Sequence, residues 1–156
     1  MAKKYSSILV PFDGSEYSKR AMDEAIEMSK KLGSKLHILT AVTVSAVRPP
    51  GIILSGMARG KSATKTTEAF VKKAIDEANS MMLESVEYCK RKGADAIYKV
   101  TAESPAKAIL DYAKKTDSDL IVMGSQGLRG IDKVRVLGSV SRHVLENSSC
   151  PVIIVH

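Results

Sequence analysis

Gly124, Gly127 and Gly130 recur at every third position, and the pair Gly138-Ser139 follows them. Ahead of them runs Ile121-Val122-Met123, apolar without alternation, as in a parallel strand covered on both faces. Glycines let a backbone turn tightly and come close to a ligand. Gly138-Ser139 precedes Val140 and Val144, so a helix begins near Ser139 or Ser141. A helix start offers free N–H groups and the positive end of a dipole, and both favour an anion. Strand, glycine loop and helix start in succession form an arrangement for holding phosphate. The same residues also read as a surface loop with ordinary turn glycines, because short glycine motifs recur by chance.

A second candidate stands near the N-terminus. Ser7–Pro11 is another continuous apolar run, and Asp13 follows it within Pro11-Phe12-Asp13-Gly14-Ser15. An aspartate just past the carboxyl end of a buried strand is either an acceptor for ribose hydroxyls or a turn aspartate bonded to its own backbone. Gly60-Lys61-Ser62 resembles the end of a P-loop, but the first glycine of that motif would fall on Ser55. No clear strand leads directly into it, so it is set aside. Hydrolysis of a phosphoanhydride needs a group that orients water. Gln126 and Asp132 are near the loop only in sequence, and no dedicated base is evident.

Composition bounds these readings. A chain of 156 residues is expected to fold as one domain over 1–156. Hydrophobic residues make up 44% and charged residues 26%, as in an ordinary globular protein. The formal charge of +7 suits a polyanion, but Lys and Arg are spread along the chain. Aromatics are 4% with no Trp, so bases have little to stack on and nucleic acid is not the expected partner. Cys89 and Cys150 form no CxxC pair, and His37, His143 and His156 lack metal-ligand spacing. Both cysteines are expected to be reduced and packed. No stretch approaches the roughly 20 apolar residues of a membrane span, and the start lacks the apolar run of a signal peptide. A cytoplasmic protein, with no membrane partner, is expected.

The elements that must position these residues follow from periodicity. Ser15 caps a helix to about Leu32, with Ala21, Ala25, Met28 and Leu32 on one face and Met22 and Ile26 beside them. Gly33 ends it. Residues 35–44 read as a strand, with His37 at an edge or on the surface. Residues 45–64, rich in Pro and Gly, read as a long loop. Residues 65–92 read as an amphipathic helix with Val71, Ile75, Ala78, Met82, Val86 and Cys89 facing the core. Residues 96–102 alternate like an edge or half-exposed strand. Ser104-Pro105 caps a helix to about Lys115, and 119–124 is a strand. A helix from Ser139 to about Asn147 and a strand at Val152–Val155 close the chain. The order βαβαβαβαβ argues for an open parallel sheet with helices on both faces. Ligands bind such sheets beyond the carboxyl ends of the strands, where strand order reverses. If the first and fourth strands are neighbours, Asp13 and the glycine loop share one crevice.

Three segments resemble the universal stress protein family: ILVPFDGSEYSKRAMDEAI, ESPAKAILDYAKKTDSDLIVMGSQGLRG and LGSVSRHVLENSSCPVIIV. The resemblance covers the chain apart from 45–64. It implies a Rossmann-like five-stranded sheet of order 3-2-1-4-5, similar to adenine nucleotide alpha hydrolases. It implies a homodimer through Val152–Val155 and, in the nucleotide-binding branch, ATP or AMP or ADP in a regulatory stress-response role. Carried over by residue, Asp13 takes the ribose and Pro11 lines the pocket. The backbone near Ala41 meets adenine, with Met123 beside the base. Gly124, Gly127, Gly138, Ser139, Val140 and Ser141 hold the phosphate region, and Mg²⁺ comes with the phosphates. One departure stands out. Residues 128–137 number ten, one more than the family spacing. The extra residue either bulges near Asp132-Lys133 or moves the helix start away from the phosphates. The alternatives to a nucleotide-binding regulator are a scaffold or chaperone-like dimer and a slow ATP hydrolase, each acting with protein partners that the residues do not name.

Overall fold

A computed structural model describes residues 4–44, 61–128 and 136–156. The short apolar runs become β1 (Ser7–Pro11), β2 (Lys35–Ala41), β3 (Ala96–Thr101), β4 (Leu120–Gly124) and β5 (Val152–Val155). They form one parallel sheet in the order β3-β2-β1-β4-β5. Strand side chains alternate between faces, and the core divides accordingly. Ile8, Val10, Leu36, Ile38, Leu120 and Val122 pack on α1 (Glu16–Leu32) and α2 (Lys61–Arg91). Leu9, Leu39, Ile121 and Met123 pack on α3 (Pro105–Lys115) and α4 (Ser139–Asn147). Among the described residues, no helix is long and apolar enough to cross a membrane.

The helix ends show why these segments stop where they do. Ser15 accepts a hydrogen bond from the Ser18 N–H, and Gly33 adopts φ 69° while donating to the Ser29 carbonyl. The buried stripe of α1 is Ser18, Ala21, Met22, Ala25, Ile26 and Ser29. Leu32, expected on that face, is exposed although Ala21 and Ala25 of the same face are fully buried; it is the last residue of the helix. Ser104 precedes α3 in extended backbone, but its side chain makes no capping bond; Pro105 alone marks that start. α2 begins at Lys61, so the last four residues of the expected 45–64 loop are helical. Residues 45–60 lie outside the described residues. Lys61-Ser62 sit at a helix start, but β2 ends far upstream at Ala41, unlike the direct strand-to-helix turn of a P-loop. Within α2, Ala78, Met82, Ser85 and Cys89 are buried, whereas Val71, Ile75 and Val86 are only partly covered.

β2 stops at Ala41, short of the expected 44, and β3 stops at Thr101. Asp119, expected in β4, instead uses its carboxylate to accept from the Ser6 N–H at 2.8 Å and the Ser7 N–H at 3.2 Å, tying β4 to the start of β1. β3 is an edge strand, as its alternation indicates. Both cysteines are free, and burial pushes the Cys89 thiol up to about 11.

His37 needs a correction. It lies on an inner strand, between Leu9 of β1 and Ile97 of β3, and is neither at an edge nor fully exposed. Sequence order alone did not place β2 inside the sheet. Its ring faces Tyr112 of α3 with centroids 6.1 Å apart, and its Nδ1 is buried without a partner. Burial, and secondarily the charge of Lys35, holds its pKa below the ordinary value. A folded-state pKa lower than the unfolded one means that the unfolded chain takes up the proton first. Stability is therefore unaffected above the unfolded value and falls as pH drops through it towards the folded value. Urea unfolding at pH 7.5 and 5.5 should show a loss in the wild type and a smaller loss in His37→Gln.

Candidate functional site

β1 and β4 are neighbours, with Ile8 opposite Leu120 and Leu9 opposite Ile121. The chain leaves β1 towards α1 and leaves β4 towards α4, so a crevice opens above their carboxyl ends. A cavity of about 870 Å³ fills it. The expected residues are brought together there. Pro11 and Asp13 line it from the end of β1, Ala41 from the end of β2, and Met123 and Gly124 from β4. Gly127 follows from the loop, and Gly138, Ser139, Val140 and Ser141 from the start of α4. Gly130, Arg129, Asp132 and Lys133, and with them the expected bulge, lie outside the described residues.

Asp13 is the turn aspartate that one of its two readings expected, and it also reaches the glycine loop. Its Oδ1 accepts from the Ser15 N–H at 2.9 Å, closing the turn into α1. Its Oδ2 accepts from the Leu128 N–H at 3.2 Å, reaching across to the glycine loop. Each carboxylate oxygen keeps lone-pair capacity for a further donor. Gly127 makes this crossing feasible, since a Cβ there would stand 2.8 Å from Asp13 Oδ2. Gly124 has a different role. A Cβ there would meet the Tyr17 backbone carbon at 2.8 Å, so this glycine lets β4 end against the first turn of α1.

The start of α4 is fixed to the end of β4. The Gly138 N–H donates to the Ser125 carbonyl at 2.8 Å, and the Ser141 hydroxyl donates to the Gly124 carbonyl at 2.9 Å. Gln126 Nε2 donates to the Val136 carbonyl at 2.9 Å. Gly138 occupies the N-cap position in extended backbone, and no side chain caps the helix. The first-turn N–H groups have no intrahelical partner, and their residues line the cavity. Ser141 contributes backbone only, because its hydroxyl is committed to Gly124.

The opposite end of the cavity is apolar. Leu39, Ala41, Ile109 and Met123 line it, with Thr43 and Pro105 at the rim. Parallel pairing alternates between sides of a strand. The last rung from β2 to β1 is the Phe12 N–H on the Leu39 carbonyl, at 2.8 Å. The Val42 N–H turns the other way, to the Thr101 carbonyl. The N–H and C=O of Ala41 thus lie past the last rung, on the cavity side. The Thr40 hydroxyl donates to the Phe12 carbonyl and fixes the chain between these strand ends. Phe12, Thr43, Ile109, Gln126 and Leu128 are lining residues that reading the sequence missed. Gln126 and Leu128 had a signal, since they interleave with the glycines. Ile109 had none, because only the strand order brings α3 over this crevice. Among the described residues, no three His, Cys, Asp or Glu side chains group closely enough to hold a metal ion.

A family model described as the universal stress protein family matches residues 4–156. The universal stress protein YxiE of Bacillus subtilis is 34% identical, over 97% of this chain and 99% of that protein. The solved structure of the universal stress protein UspA from Lactobacillus plantarum superposes with a TM-score of 0.81 at 24% identity, covering 98% of this chain and 99% of that one. A universal stress protein solved in complex with cAMP superposes with a TM-score of 0.62 at 28% identity, covering 98% of each chain.

The two glycines should respond differently to a single methyl group. Gly124→Ala must push β4 from α1 backbone and is expected to destabilise the fold by about 1–3 kcal/mol. Gly127→Ala meets only the end of the Asp13 side chain and should change stability by less than about 1 kcal/mol. Thermal and urea unfolding of the two variants measure this contrast.

Proposed function

This chain belongs to the universal stress protein family, and from that premise we propose that its crevice binds an adenine nucleotide, ATP or its relatives AMP and ADP. The observation that carries the reading is the asymmetry of the cavity: an apolar slot at one end, a carboxylate in the middle and an uncapped helix start at the other. An adenine ring matches the slot between Ala41, Ile109 and Met123, with Pro11 at its floor. The N–H and C=O of Ala41 offer one donor and one acceptor to the edge of the base. Asp13 accepts from ribose hydroxyls through the lone pairs left over from Ser15 and Leu128. Phosphates lie against the Gly127 backbone and the first-turn N–H groups of Ser139, Val140 and Ser141, where the helix dipole favours negative charge. Gly124 acts indirectly, by letting β4 end close enough to α1 for Asp13 to reach the loop.

The residues fit the group, since the cradle at Gly127 has no room for a Cβ and the helix start has no side-chain cap. Mg²⁺ accompanies the phosphates and neutralises part of their charge rather than sitting in a protein cage. The complex of a universal stress protein with cAMP supports an adenine nucleotide as the ligand class.

The protein acts as one domain over 1–156, in the cytoplasm, as a regulatory binding module for other proteins. It forms a homodimer through Val152–Val155. That strand is at the sheet edge and carries an exposed Ile153, which supports pairing with a second copy.

Gly127→Val tests the reading. Its side chain displaces the Asp13 carboxylate and fills the cradle. Calorimetric titration with ATP and Mg²⁺ should give saturable binding to the wild type and none to the variant, while circular dichroism shows an unchanged fold. Equal affinity in a folded variant would remove the glycine loop from the site.

A further inference from the structure

We infer that Gln126 is a positioning residue that sets the phosphate end of the cavity. The inference rests on the nucleotide reading of the site. The chain leaves β4 at Gly124 and is described again from Val136, and the hydrogen bonds that join the two arms include three among the described residues. Two of them, Gly138 N–H to Ser125 and Ser141 Oγ to Gly124, hold the N-cap and the first turn of the helix. The third comes from the side chain of Gln126, which is buried and donates through Nε2 to the Val136 carbonyl at 2.9 Å. Of the three, it is the one that grips the chain before the N-cap residue Gly138.

Val136 and Leu137 line the cavity next to Gly138. Their course decides where the first-turn N–H groups point and how wide that end opens. Gly127, on the other arm, adjoins Gln126 and carries the contact to Asp13. The amide of Gln126 therefore joins the glycine that faces the ribose site to the residues that precede the phosphate site. The two arms are thereby fastened at their bases, and α4 begins at Ser139. The base and ribose ends, built from Ala41, Ile109, Met123 and Asp13, do not touch this bond.

The test separates the two ends of the ligand. Affinities for ATP with Mg²⁺ and for adenosine are measured by calorimetry at pH 8 on the full chain. Gln126→Met fills a similar volume without a donor. Gln126→Asn keeps the amide but falls one methylene short. Each is expected to weaken ATP by about tenfold, the scale of one lost hydrogen bond at a site that must stay ordered, and adenosine by no more than about twofold. Gln126→His returns a ring N–H at similar reach and should restore most of the ATP affinity. Equal binding of both ligands by wild type, Gln126→Met and Gln126→Asn would overturn the positioning role. So would a parallel loss of ATP and adenosine, which would mark Gln126 as general packing. A wild type that binds neither ligand would instead fail the nucleotide reading itself, and the inference with it.

Discussion

Asp13 reaches from the end of β1 to the Leu128 N–H beyond the end of β4, and this crossing exists because no side chain stands at Gly127. The distances leave little freedom. Oδ1 is held by the Ser15 N–H at 2.9 Å, in the turn that leads into α1. Oδ2 is then committed to one direction, and the glycine loop must come to it. Gly124 supplies the other half of the constraint by letting β4 run up against Tyr17 and Ser18. Two strands that could have diverged at their ends are thereby kept close, and the crevice between them has a defined width.

The chemistry of the two ends of that crevice follows from the elements that reach it. The slot under α3 is apolar because Ile109, Leu39 and Met123 belong to the same core layer that packs α3 and α4 on the sheet. Its polar content is backbone, from the part of β2 that outruns β1. The far end is polar for the opposite reason. α4 starts with a glycine at the N-cap and leaves its first-turn N–H groups without a side-chain acceptor. Among the described lining residues Asp13 is the only one with a formal charge, so what these residues offer an anion is dipoles and N–H groups.

Much of this was legible in the residues. The five apolar runs, the cap at Ser15, the stop at Gly33 and the helix start at Ser139 are local signals, each set by contacts within a few residues. Asp13 and the glycine motif were visible as candidates because they stand just past strands. Their meeting was not visible, since βαβ order leaves strand order open; the order came from the resemblance to a family. The misses share that cause. His37 was misplaced because nothing local marks β2 as an inner strand. Ile109 and Thr43 were missed because they enter the cavity only through tertiary packing. Asp119 was taken into β4 because its bonds to Ser6 and Ser7 are more than a hundred residues away in sequence. The exposed Leu32 shows the limit of periodicity, which gave the face that Ala21 and Ala25 bury but not where along the helix that cover ends.

The most direct measurement of the central claim is the nucleotide content of the purified protein. The chain is denatured and removed, and the supernatant is separated by anion exchange and read against standards. An adenine nucleotide at close to one per chain is the predicted result, with the ten residues of 128–137 accommodated. An empty protein that also shows no rise in unfolding temperature with ATP and Mg²⁺ would contradict the account. It would leave the crevice as a feature of the fold and favour a dimeric scaffold.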